Sequence, residues 1–112
     1  MGVQNVGPFE IYGDDAWSQT FTITDGGKPV VFAEHGVWHC QVVGRRDNVS
    51  YRVKTQITLG SNGKLTVSLS SSQLAGWVPS QMDVRSVKNG QVRTWLCAPL
   101  RHRPAVTDVS WS

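Results

Sequence analysis

The sequence predicts an all-β fold, a sandwich or small barrel of strands, on three observations. Apolar and polar residues alternate at period two in several separate runs. Those runs are divided by Gly, Asn, Asp and Pro clusters of the kind that turn a chain. Helical spacing is confined to one short stretch.

The elements follow in order. Phe9-Glu-Ile11 reads as a short opening strand after Gly7-Pro8. From Trp17 to Thr24, Trp17, Gln19, Phe21 and Ile23 share one face, and Ser18, Thr20, Thr22 and Thr24 the other. Asp25-Gly26-Gly27-Lys28-Pro29 breaks the chain, because glycine supplies positive φ and proline pre-sets the exit. Val37 to Val43 is the next strand, with Trp38, Cys40 and Val42 on one face, and Arg45 to Asn48 is a polar turn. Tyr51 to Leu59 alternates as one strand, and Gly60-Ser-Asn-Gly63 leads into Leu65, Val67 and Leu69 as a hairpin.

Ser70-Ser-Ser-Gln73 has the form of a capping box, in which hydroxyl and amide side chains satisfy the first free N–H groups of a helix. Leu74, Ala75 and Trp77 continue that turn and Pro79 stops it, so a short helical plug at one end of the sandwich is expected. Gln81 to Val87 and Gln91 to Leu100 flank Asn89-Gly90, the preferred dipeptide of a tight hairpin. Arg101-His-Arg-Pro104 then opens a tail. About seven strands, with turns roughly every 8–12 residues, predict an immunoglobulin-like β-sandwich with one short helical turn.

The bulk properties bound the function. The chain has 112 residues, enough for one domain, expected to span about residues 7–103 with a C-terminal tail at 104–112. Charged residues are 17% of the chain, below the usual share of about 25%, which suits a surface packed against other proteins. The net charge of +3 invites a nucleic-acid reading, but the basic residues are scattered and no recognition signature accompanies them. The start carries neither a basic segment nor an apolar core, and no apolar run approaches the ~18 residues of a membrane span. A cytoplasmic origin with Cys40 and Cys97 reduced is therefore expected, and the sequon Asn48-Val49-Ser50 carries no meaning there.

Chemistry is sparse. His35 and His39 sit four apart on extended chain, a span of about 13 Å, and no metal-ligand spacing is present. Cys40 and Cys97 lack a legible base, and Asp14-Asp15 reads as part of a turn. No nucleophile elbow, phosphate loop or dinucleotide fingerprint occurs, so the reading contains no catalytic residue, cofactor or metal. Of the five tryptophans, Trp17, Trp38 and Trp77 fit core patterns. Trp95 lies opposite Val92, Leu96 and Leu100 if those face inward, and Trp111 is next to the last residue. Both are candidate partner contacts, together with Arg101 and Arg103, since exposed tryptophan gives large burial for little entropy loss. A sugar-stacking role for the two tryptophans, as in a carbohydrate-binding module, is the alternative.

Gly13-Asp14-Asp15-Ala16-Trp17-Ser-Gln-Thr-Phe21-Thr-Ile-Thr-Asp25-Gly-Gly-Lys-Pro29 resembles the N-terminal domain of siphophage baseplate upper proteins and similar domains of phage tail and head fibres. The resemblance continues through Gly63-Lys-Leu-Thr-Val-Ser-Leu69, the Ser-led turn from Ser70 to Trp77, and Asp83-Val84 through Gly90 to Thr94, covering about residues 7–107. Phe32-Ala33-Glu34-His35-Gly36 stands where the family has Leu-Thr-Gly. The resemblance implies a virion structural protein made in a bacterial host, in multiple symmetric copies, whose partners are other tail or baseplate proteins. The length of the sequence favours a free-standing adaptor, or a decoration protein on the major capsid protein, over a fibre anchor.

Overall fold

Alternation along the chain becomes pairing across two sheets. The computed structural model describes residues 3–13 and 15–103. Within them run β1 (Gln4–Asn5), β2 (Phe9–Tyr12), β3 (Trp17–Thr22), β4 (Thr24–Asp25), β5 (Lys28–Pro29), a 3-10 turn (Phe32–His35), β6 (Val37–Arg46), β7 (Val49–Lys54), β8 (Gln56–Leu59), β9 (Lys64–Leu69), α1 (Ser71–Leu74), β10 (Val78–Lys88) and β11 (Gln91–Arg103). The larger sheet has the order β1-β11-β10-β6-β7, and β2 joins it on β11 beyond β1. β1 and β2 run parallel to β11, and every other pairing is antiparallel. The smaller sheet is β3-β9-β8, and β4 and β5 form a separate ribbon. The molecule is an all-β sandwich, the expected class.

The turns are where the sequence put them. Asn89-Gly90 joins Lys88 to its partner Gln91, and Asp47-Asn48 joins Arg46 to Val49. All four residues have positive φ, which gives a two-residue turn the twist that matches right-handed strands. The inward faces of the two sheets meet in one core, where Ile23, Val42, Leu65, Val67, Val84 and Leu96 are fully buried. Burying a side chain of this size stabilises the fold by roughly 1.5–3 kcal/mol.

Two expectations are corrected. Tyr51 to Leu59 is two strands, because the chain changes sheets at Thr55. The Thr55 N–H and Oγ1–H both donate to the Cys40 carbonyl, at 3.0 and 3.2 Å. β7 therefore pairs with β6 while β8 pairs with β9. Alternation survives the crossing, with Tyr51, Val53 and Ile57 packed on the core, so the run reads as continuous. Nor does the tail open at Arg101: β11 runs on to Arg103, with Leu100 to Arg103 paired to β2. Residues 104–112 lie outside the described residues.

α1 closes one end of the sandwich. Ser70 Oγ accepts from the Gln73 N–H at 3.3 Å and the Ser70 N–H donates to Gln73 Oε1 at 3.0 Å, completing the capping box. The Trp77 indole N–H donates to the Gln73 carbonyl at 2.6 Å, and the Gln73 amide donates to the Lys54 carbonyl at 3.2 Å. These bonds hold Leu74 and Trp77 in the core. Ser70→Ala is expected to cost about 1 kcal/mol, read as a lower urea midpoint with an unchanged m-value.

Candidate partner-binding site

Trp95 is a core residue, which corrects its expected exposure. β10 and β11 pair Val84 with Leu96 but Arg85 with Thr94, so Trp95 is the extra residue of a bulge. One extra residue inverts the facing of everything before it. Val92, which reads as inward in phase with Leu96, is 58% exposed, while Trp95 is 3% exposed. Its indole N–H donates to Ser86 Oγ at 2.8 Å, satisfying a buried hydroxyl. Its ring lies 5.2 Å from Trp38 and 4.6 Å from His35 between centroids. The Arg93 guanidinium carbon stands 3.6 Å over the same ring while reaching Asp25 at 3.4 Å.

Arg101 and Arg103 do stand at the surface, on the outward side of β11 where β2 pairs with it. Arg101 lies beside Glu10, and Arg103 beside Tyr12. Arg103 Nε donates to Glu10 Oε1 at 2.7 Å, and the Tyr12 hydroxyl donates to Glu10 Oε2 at 2.7 Å. Both carboxylate oxygens are thus engaged. The Tyr12 hydroxyl, and then Arg103, hold the Glu10 carboxyl below its ordinary value of 4.5. Stability from this group is present in full above its unfolded value and fades as pH falls through the lower folded one. A carboxyl NMR titration of Glu10 should give a midpoint below 4.5, rising in the Arg103→Gln variant. Trp111, the remaining expected contact, lies outside the described residues.

The two cysteines are not brought together. Cys40 faces the core, where burial pushes its thiol up to about 11. Cys97 pairs with Asp83 on the outward side, one residue out of phase with the Val84–Cys40 pair, so the two free thiols lie on opposite faces of the sheet. Among the described residues no group of three or more His, Cys, Asp or Glu gathers as a metal site. An open hollow of about 390 Å³ lies over Trp77, lined by Arg45, Asp47, Leu74 and His102. The His102 ring there is already engaged, with Nε2 at 3.0 Å from the Gly13 carbonyl. Tyr12 is the one exposed aromatic among the described residues, so they form no row on which a sugar chain would stack. No described helix is long and apolar enough to cross a membrane.

No protein-family model and no curated protein matches this chain.

The indoles of Trp38, Trp77 and Trp95 are spent inside the domain on defined hydrogen bonds. Sequence reasoning missed the side on which Trp95 lies, and only the bulge explains it. It also missed that Arg103 is already partnered within the domain, because β2 and the end of β11 are brought together by a long-range parallel register.

Proposed function

We propose that this domain is a non-catalytic structural component of a bacteriophage particle, an assembly or attachment part of the tail or baseplate. Decoration of the capsid surface is the second placement for the same kind of part. The supporting observation is where the resembling motifs fall in the fold. The aromatic strand is β3, the Asp-Gly-Gly turn is the β4–β5 ribbon, and Gly63 to Leu69 is β9 with its entry. The Ser-led turn is α1 with its cap, and the final motif is the β10–β11 hairpin. The resemblance thus falls on strands of both sheets and on the helical turn between them rather than on isolated turns. In this reading the domain is present in several symmetric copies and acts by burying surface against neighbouring subunits. Arg101 and Trp111 are assigned to those contacts, and Trp95 supports them only from within.

Sedimentation tests the reading. Purified chain is mixed with phage particles that lack it, and the particles are pelleted. Saturable retention at a fixed number of copies per particle is expected, and chain left wholly in the supernatant would contradict the proposal.

A further inference from the structure

Among the described residues, net positive charge is concentrated on one face. In the larger sheet, Trp38, Cys40, Val42, Val53, Met82, Val84 and Leu96 point into the core, so their strand neighbours point out. The outward set carries six cations, Arg45, Arg52, Lys54, Arg85, Arg101 and Arg103, against two carboxylates, Asp83 and Glu10. That surplus of four exceeds the +3 of the whole chain, while the other described charges, five cations against four carboxylates, nearly cancel. Both carboxylates are already used, Asp83 by Arg85 at 3.5 Å and Glu10 by Arg103 at 2.7 Å. Arg45, Arg52, Lys54 and Arg101 have no ion-pair partner among the described residues.

The same face has an apolar end. Val37 pairs with Val87 and Val87 with Val92, giving a row of three valines across three strands, a width of about 10 Å. Val37 and Val92 are 60% and 58% exposed. The outer face of the smaller sheet is different in kind. There Ser18 and Ser68, and Thr20 and Thr66, form a ladder of hydroxyls that satisfy one another, with Lys64 as its one cation among the described residues.

We propose that the outer face of the larger sheet docks flat against an acidic surface of a second virion protein, with the valine row buried against an apolar spot and Arg52 and Lys54 facing carboxylates. The naming of the partner as a virion protein rests on the proposed function; its chemistry rests on the face alone. Charge complementarity selects an acidic partner. A protein fits better than a nucleic acid for three reasons. A valine row gains nothing against phosphates, Asp83 sits in the middle of the face, and the one Trp, Tyr or Phe ring turned outward there among the described residues, Tyr12 of β2, is bonded to Glu10 and forms no row for bases to stack on.

The test uses the particle with its chain bound, treated with a carbodiimide that joins amines directly to touching carboxylates. Lys54 is expected to couple to an Asp or Glu of another virion subunit. The R52E/K54E variant breaks no ion pair within the domain and should fold with an unchanged melting temperature. It is expected to lose about tenfold or more in particle occupancy by sedimentation, while Thr58→Glu on the other sheet keeps full occupancy. Full occupancy by folded R52E/K54E, with Lys54 uncoupled in the wild type, would overturn the docking face and leave the virion reading standing. Failure of the wild-type chain to bind particles at all would remove the virion reading and this partner with it. Salt-sensitive anisotropy of labelled duplex DNA, lost in R52E/K54E, would reassign the face to nucleic acid and overturn the proposal.

Discussion

Trp95→Ala is expected to destabilise the domain by about 3–5 kcal/mol, a large part of the roughly 5–15 kcal/mol that holds a domain of this size together. The melting temperature should fall by roughly 15 °C. Three losses add. The indole leaves a cavity against Trp38 and His35, and Ser86, only 3% exposed, loses the donor that satisfies it. Arg93 loses the ring beneath its guanidinium. Trp95→Phe keeps much of the packing but not the hydrogen bond, so it should fall between alanine and wild type. Thermal unfolding followed by circular dichroism measures all three proteins. A Trp95 placed at an interface would behave the other way, with Trp95→Ala keeping its melting temperature and losing only partner binding.

Gly44→Ala is the second large effect, and it comes from adding atoms. Gly44 lies in β6 where β10 enters beside it, paired with Pro79. A methyl group there would collide with the Val78 carbonyl oxygen. It would also stand 2.7 Å from Pro79 Cα and 2.8 Å from the Trp77 ring. Two of these neighbours are backbone, so the β6–β10 pairing must open to make room. The expected loss is about 2–3 kcal/mol, at the upper end for an overpacked site. Gly60→Ala is the control. Its methyl would meet nothing nearer than 3.4 Å, and stability should stay within about 0.5 kcal/mol of wild type.

Local chemistry made much of this fold legible. Strict alternation sorted Trp38, Cys40 and Val42 from His39 and Gln41, and the sorting holds because one face of each sheet must be dry. Asn89-Gly90 and the Ser70–Gln73 box were legible because each satisfies its backbone from within four residues. What escaped were events that leave alternation intact or shift it silently. The sheet change at Thr55 keeps the period, and the bulge at Trp95 inverts it between two runs that each look regular. The pairing of β2 with the end of β11 joins residues some ninety positions apart, which no local pattern encodes.

The candidate surface was legible only in pieces. Arg52 and Lys54 alternate with Tyr51 and Val53, so their outward direction could be read from the run itself. That Arg85, Arg45 and Arg101 share their face needs the register of four strands, and the basic residues therefore look scattered along the chain. Val92 belongs to the valine row only because of the same bulge that buries Trp95. One irregularity in β11 thus moves a tryptophan into the core and a valine onto the proposed docking face.

Counting copies of this chain in purified phage particles against the major capsid protein, by quantitative mass spectrometry, tests the central claim most directly. A reproducible whole-number stoichiometry is the predicted result. Roughly one to a few tens of copies would fit a tail or baseplate ring, and roughly hundreds would fit an icosahedral surface. A chain absent from the particle would contradict the account.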